Sequence, residues 1–250
     1  MEYITSRKNP LISHLRKLAA DRAYRRASGE FLGDGVKLLE EAARWNAPLT
    51  AVVCTPGVPL PPIGGARRVE VPEDVMASVS PLKTPQGALF TARLPETAPP
   101  EALAGRRWLV LDGLQDPGNV GTIWRAADAL GADGLLLVNR CADPFSPKTV
   151  RSTMGACFRL PVYEREAEDL PGLLERSGAA LYAAALGEDA ADVRELDLSR
   201  AAVVIGSEGS GVCPELLALS QNTIKIPMRD RCESLNAAVA AAIILWEMAK

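Results

Sequence analysis

The last fifty residues, Ala201 to Lys250, constrain the fold of this chain more than any other stretch. A β-branched run, Val203-Val204-Ile205, stops at Gly206-Ser207-Glu208-Gly209-Ser210-Gly211. That change marks a buried strand delivering a glycine loop to one edge of a sheet. A second short strand is predicted over Thr223 to Ile226, ending at Pro227, which cannot donate to a ladder. After a charged loop, Ser234-Leu235-Asn236 opens a helix whose body, Ala237 to Met248, is nearly all Ala, Val, Ile and Leu. A helix with no polar face must be covered on most sides, by the core or by a partner chain. Two loops beside a small-residue helix make a candidate ligand site.

The residues before this stretch extend the same sheet. An apolar strand is predicted over Arg107 to Leu111, then a polar loop from Asp112 to Asn119, a helix from about Val120 to Leu130, and a strand from Gly134 to Val138. Strand, helix and strand in some thirty residues is a βαβ unit, hence a parallel sheet with a right-handed crossover. A helix at Lys148 to Met154, a strand at Leu160 to Tyr163, a helix at Asp169 to Arg176 and a strand at Ala180 to Ala185 follow. Gly187 to Leu198, acidic and alanine-rich, reads as an exposed loop. Dinucleotide binding is excluded by the first loop, which lacks GxGxxG, and a P-loop by the absence of Gly-Lys-Ser or Gly-Lys-Thr.

The N-terminal third alternates strands and helices on a smaller scale. Leu11, Ile12, Leu15, Leu18 and Ala19 recur at helical spacing, so one amphipathic helix is expected from Pro10 to Ala27 with a basic polar face. A short strand and turn are expected over Glu30 to Gly35, strands at Thr50 to Cys54, Arg67 to Val71 and Gly87 to Arg93, and helices at Val36 to about Trp45 and Pro72 to Val79. This is a small α/β unit. Leu94 to Gly105 holds three prolines and few large apolar residues, and reads as a linker.

Charge and cysteine content narrow the functional classes. The chain of 250 residues carries a net charge of −3, against a protein that coats nucleic acid non-specifically. Between Met1 and Ser28, however, seven basic residues (Arg7, Lys8, Arg16, Lys17, Arg22, Arg25, Arg26) face only Glu2 and Asp21. That surplus suits either phosphate contacts or a solvated helix face. Cys54, Cys141, Cys157, Cys213 and Cys232 form no CxxC pair, and His14 is the only histidine, so neither a zinc site nor a Cys-His nucleophile is expected. No apolar run reaches the length of a membrane span and the N-terminus lacks a signal peptide's apolar core, which makes a cytoplasmic protein the expectation.

Three blocks in order resemble the SpoU/TrmH family of RNA ribose 2′-O-methyltransferases, within the SPOUT superfamily. They are Asn119-Val120-Gly121 followed by Arg125, Ile205 through Gly211, and Ile226-Pro227-Met228 followed by Ser234-Leu235-Asn236. They span Leu109 to the C-terminus, a little over half the chain. The resemblance implies an α/β protein whose C-terminal SPOUT domain, residues 106–250, is a parallel sheet with a deep trefoil knot. Knots are so rare that the resemblance alone warrants expecting one. It further implies a small α/β substrate-binding domain for RNA at 1–96, a linker at 97–105, and a homodimer that completes the active site. Phe31-Leu32-Gly33-Asp34-Gly35 with Lys37-Leu38-Leu39 is the looser N-terminal part of the match.

The resemblance also carries roles. The cofactor is S-adenosylmethionine, with contacts at Gly206, Gly211, Ile226, Met228 and Leu235, and no metal is implied. Glycines let backbone amides approach a bent cofactor closely. Arg125 is the catalytic arginine, as hydroxyl activator or as a clamp on the adjacent phosphate, since a guanidinium with a pKa above about 12 makes a poor base. Pairing with Asp128 is its structural alternative. Asn119 and Glu208 fix the loops around the hydroxyl, unless Glu208 only satisfies glycine-loop amides. Ser234 and Asn236 line the reacting centre, with N-capping of the last helix as their other reading. Many relatives carry Val-Ser where this chain has Ala237-Ala238, which removes a hydroxyl from the cofactor's expected surroundings. A non-catalytic RNA-binding or ribosome-assembly protein and a base methyltransferase are the rival readings, and transfer and ribosomal RNA both stay open as substrates.

Overall fold

The computed structural model describes residues 2–187, 189–229, 231 and 234–250. Cys232 lies outside the described residues. The chain divides into two compact units, Met1–Pro95 with Phe145–Phe158, and Glu96–Pro144 with Arg159–Lys250.

The first unit runs β1 (Glu2–Tyr3), α1 (Pro10–Ala20), α2 (Arg22–Ser28), β2 (Glu30–Asp34), α3 (Val36–Arg44), β3 (Leu49–Cys54), β4 (Arg67–Glu70), α4 (Glu73–Ala77) and β5 (Ala88–Arg93). Its five strands lie in the order β1-β4-β3-β5-β2, with β5 antiparallel to both β2 and β3. Leu11, Ile12, Leu15 and Leu18 of α1 pack on one face of this sheet against Val53, Val69 and Leu89. The single basic helix expected over Pro10 to Ala27 is two helices. Asp21 ends α1 in an extended conformation and its carboxylate accepts from Tyr24 N at 3.2 Å, so the acid caps a new helix. Arg25, counted with the basic surplus, is buried to 4% exposure and donates to Leu18 O at 2.5 Å.

The second unit begins with β6 (Arg107–Asp112), α5 (Pro117–Ala129) and β7 (Gly134–Val138). The segment Phe145–Phe158, containing α6 (Pro147–Ser152), then clusters with the first unit, where Phe145 and Phe158 lie against Phe31 with ring centroids 5.2 and 6.3 Å away. The second unit resumes with β8 (Val162–Glu164), α7 (Leu170–Ser177), β9 (Ala180–Ala184), β10 (Ala191–Asp192), β11 (Ala201–Ile205), α8 (Pro214–Leu219), β12 (Asn222–Lys225) and α9 (Ala237–Met248). All pairings are parallel, in the order β10-β12-β9-β11-β6-β7-β8. Every residue of β7 and β11 is buried, which explains their unbroken apolar sequences.

Two stretches read as loops are tied into this unit. Within Gly187 to Leu198, β10 pairs with β12, and Val193 and Leu198 are each only 2% exposed, so the segment is not simply an exposed loop. Its acidic residues are carried between anchoring apolar ones, which a composition reading averages away. In 97–105, Leu103 is 5% exposed with its N–H donating to Ser177 Oγ at 2.8 Å, and Thr97 O accepts from Glu164 N.

α9 lies against α5. Its inner side, including Ala241, Ile244, Leu245 and Met248, is buried, while Val239 and Trp246 are 48% and 61% exposed. The helix is therefore covered on one side only within this chain.

Candidate active site

The parallel sheet brings the loops after β9, β11 and β12 to one edge, and α9 closes the space beside them. Between them lies a cavity of about 630 Å³. Gly206, Gly211, Ile226, Met228 and Leu235, the residues proposed for cofactor contact, all line it, as do Glu208, Ser234 and Asn236. Its volume is that of a small-molecule site.

The glycine loop is shaped by its own backbone. Ser207 and Gly211 exchange both N–H···O bonds, at 3.1 and 3.0 Å, which folds the loop back on itself. Gly211 takes φ +68°, a left-handed conformation that favours glycine. A Cβ on Gly206 would sit 2.1 Å from the Gly211 carbonyl carbon and 2.2 Å from Val212 N, so the turn closes only over a residue without a side chain. Ser207, Glu208, Ser210 and Gly211 of this loop form part of the cavity wall.

Three side chains link this loop to the two helices. Asn236 Oδ1 accepts from Ala238 N at 2.9 Å and Val239 N at 3.3 Å, capping α9. Because backbone N–H groups only donate, this fixes the Asn236 amide, and its Nδ2 donates outward to Asn119 Oδ1 at 3.2 Å. Asn119 Nδ2 in turn donates to Glu208 Oε1 at 2.5 Å. The chain of bonds thus runs in one direction, from the N-terminus of α9 to an acceptor carboxylate on the glycine loop. Glu208 is held by Asn119 and makes no side-chain bond to a glycine-loop amide among the described residues. Capping and membership of the site coexist in Asn236.

Arg125 stands apart. It is exposed on α5, with no hydrogen bond or ion pair to any described residue, and is not among the residues lining this cavity. Six residues beyond Asn119, it is turned by about 120° around the helix. It makes no pair with Asp128, whose carboxylate is held by Arg159 at 2.7 Å. Asn119 and Thr122 instead border a shallow apolar depression on the uncovered side of α9, lined by Ala238, Val239, Ile243 and Trp246. Arg125 follows Thr122 by three residues and so lies next to it on the helix surface.

The structure adds residues that sequence reasoning did not single out. Ala184, Ala185 and Leu186 at the end of β9 line the cavity, with Ala240 and Ile244 on the inner face of α9. Only the pairing of β9 with β11 brings them there, and no local pattern announces that pairing. Ala237 lines the cavity whereas Ala238 lines the outer depression, so the hydroxyl absent at position 238 is not missing from the cavity wall. No group of histidine, cysteine and acidic residues able to hold a metal ion occurs among the described residues.

Comparison with known proteins identifies the family. The SpoU rRNA methylase family model matches residues 106–246, and an MRM3-like substrate binding domain matches residues 9–89. The chain is 33% identical over 252 residues to the 23S rRNA (guanosine(2553)-2′-O)-methyltransferase RlmP of Bacillus subtilis, covering 99% of both chains. It is 31% identical to the 23S rRNA (uridine(2479)-2′-O)-methyltransferase of Streptomyces viridochromogenes, over 98% of this chain and 90% of that one. A crystal structure of AdoMet-bound rRNA methyltransferase from Sinorhizobium meliloti superimposes with a TM-score of 0.86 at 30% identity, covering 99% of this chain and 97% of that one. The chain belongs to the SpoU rRNA methylase family.

Proposed function

We propose that this protein is a homodimeric RNA methyltransferase that transfers a methyl group from S-adenosylmethionine to a ribose 2′-hydroxyl of ribosomal RNA. The observation that carries the reading is the glycine-loop cavity joined to α5 and α9 by the Glu208-Asn119-Asn236 chain. Relatives named for 2′-O-methylation of 23S rRNA favour ribosomal over transfer RNA as substrate.

The residues present fit the cofactor. Gly206 lets the glycine loop close against its own backbone at the cavity wall, and Ile226, Met228 and Leu235 offer apolar walls for an adenine. When bound, S-adenosylmethionine supplies an electrophilic methyl group on a sulfonium. The chain's own task is positioning, which contributes about 7–11 kcal/mol to such reactions. Asn119 is held at both ends of its amide, so Glu208 is aimed by a chain that starts at a rigid helix terminus. Glu208 and Asn236 orient the ribose hydroxyl, Ser234 offers a further hydroxyl beside it, and Arg125 clamps the adjacent phosphate.

Arg125 requires the second copy. The apolar stripe of Val239, Ala242, Ile243 and Trp246 repeats at three- and four-residue spacing, with Val239 and Trp246 exposed and Ala242 and Ile243 half-buried in one chain, and Asn119 and Thr122 border it. Pairing of two such faces carries Arg125 towards the partner's cavity. A trefoil knot is consistent with the path of the chain, which leaves β11, forms β12 beyond β9 and returns with α9 onto α5. Residues 1–96 would select the RNA, 97–105 connect, and 106–250 carry the transfer. No helix among the described residues is long and apolar enough to cross a membrane, and a bacterial-type ribosomal RNA substrate would place the protein in the cytoplasm.

The test is Arg125→Ala. Cofactor affinity by calorimetry and self-association by sedimentation should match wild type, while methyl transfer to ribosomal RNA falls by about a hundredfold or more. Wild-type turnover would remove Arg125 from the mechanism. Nuclease-resistant dinucleotides report ribose methylation; a methyl group found on a base, or a protein that binds no S-adenosylmethionine, would overturn the assignment.

A further inference from the structure

We infer that Arg140 is a preorganised clamp for a phosphate of the RNA substrate, held ready by a backbone conformation that a purely structural turn would give to glycine. The inference rests on the RNA methyltransferase reading above. Asn139 and Arg140, the two residues after β7, both take positive φ, +53° and +58°. Asparagine adopts this region through its short polar side chain, but arginine gains nothing local from it. The same sheet edge fills its other left-handed positions with glycine, Gly113 at +62° and Gly211 at +68°, or with asparagine, Asn139. At this edge Arg140 alone among the described residues holds a long side chain in that region, and strain of this kind persists where surrounding contacts impose it.

Those contacts are all present. Asn139 Nδ2 donates to Asp112 Oδ1 at 2.7 Å, and Gln115 Nε2 donates to Arg140 O at 2.8 Å and to Gly113 O at 2.9 Å. Ala142 N donates to Leu114 O at 2.7 Å, closing the turn from its far side. The Asp112 carboxylate, 3% exposed, also accepts from Cys213 N at 2.7 Å. One buried carboxylate therefore fixes the turn relative to Cys213, two residues beyond the glycine loop.

While its backbone is held this firmly, the Arg140 side chain is exposed and makes no hydrogen bond or ion pair to any described residue. Asn139 lines a second cavity, of about 970 Å³, which shares Ser207, Glu208, Ser210 and Gly211 with the first and has Glu166, Glu168 and Glu215 in its walls. Carboxylates there repel phosphate, so at this edge the free guanidinium is the group that accepts an anion. In an RNA every ribose has a phosphate neighbour, and Arg140 stands on the edge to which the ribose is delivered. A planar fork of five donors on a fixed backbone suits a phosphate better than a mobile lysine.

The experiment compares wild type with Arg140→Ala, Arg140→Gly and Arg140→Lys, using 23S ribosomal RNA as the probe over a salt series. Arg140→Ala should weaken RNA binding about tenfold and lower the slope of log K against log salt by about 0.7–0.9, as for one lost phosphate contact. KM for RNA should rise with kcat nearly unchanged, and cofactor affinity should stay at the wild-type value. Arg140→Gly should show the same RNA defect while raising Tm by about 2–4 °C, because the strain is relieved, and Arg140→Lys should restore the salt slope. Wild-type RNA affinity and slope in the Ala and Gly variants would overturn the clamp alone. A loss of Tm and cofactor affinity in step with RNA binding would overturn it in favour of a structural role. If wild-type protein retains no ribosomal RNA at low salt, the methyltransferase reading fails and the clamp with it.

Discussion

Gly206 tolerates no side chain, because a Cβ would overlap backbone atoms of Gly211 and Val212 that cannot swing aside. Gly206→Ala should therefore cost about 1–3 kcal/mol in stability and abolish measurable cofactor binding, checked by thermal melts and calorimetry. Asn236 carries two duties that substitution separates. Asn236→Ala loses the cap on α9 and should cost about 1 kcal/mol, a fall of about 2–4 °C in Tm, together with activity. Asn236→Asp keeps an acceptor for Ala238 N and Val239 N but has no N–H for Asn119, so Tm should stay near wild type while transfer falls about a hundredfold. Cys141 is buried and donates to Leu111 O and Val138 O, and burial pushes its thiol up to about 11. It should resist alkylation at neutral pH in the folded protein and react after denaturation, read by mass spectrometry. At this scale much was legible, since the glycines, Glu208, Asn119 and the Ser234-Leu235-Asn236 run sit in local patterns. The hydrogen-bond order linking them was not, because Asn119 and Glu208 are brought together only by the sheet.

α9 shows what periodicity leaves open. Its residues are apolar on every side, so sequence demands that it be covered without saying by what. The fold divides that demand, with Ala241, Ile244, Leu245 and Met248 facing the core and Val239, Ile243 and Trp246 left outward. If a second copy covers the outer stripe, Trp246→Glu should yield a monomer by sedimentation velocity, with cofactor binding retained and methyl transfer lost. A Trp246→Glu protein that remains dimeric would place the interface elsewhere. At the other end of the chain, Asp21 divides one amphipathic pattern into two helices. The apolar spacing runs straight through it, and the break depends on a local cap that spacing does not register.

The two units are not two consecutive pieces of sequence. Phe145–Phe158 clusters with the first unit, where its phenylalanines meet Phe31 and Phe158 also meets Phe90, and a Cβ on Gly155 would sit 2.8 Å from the Glu41 side chain. Residues 1–96 expressed alone should consequently melt at lower temperature than the first unit does in the whole protein, and should bind a hydrophobic dye, while supplying the 145–158 peptide in trans should raise Tm. Sequence by itself determined the parallel-sheet class and the glycine loop, because buried strands and glycine turns are written in neighbouring residues, and the resemblance of its three blocks to a known family named the cavity residues that follow β11 and β12. Tertiary structure decided that β9 lies beside β11 and lends the cavity its end, that residues 145–158 belong with the first unit, and that Arg125 faces away from the cavity of its own chain. Those outcomes depend on which distant segments pair, and pairing is set by the sum of contacts over the whole fold, which no local window contains.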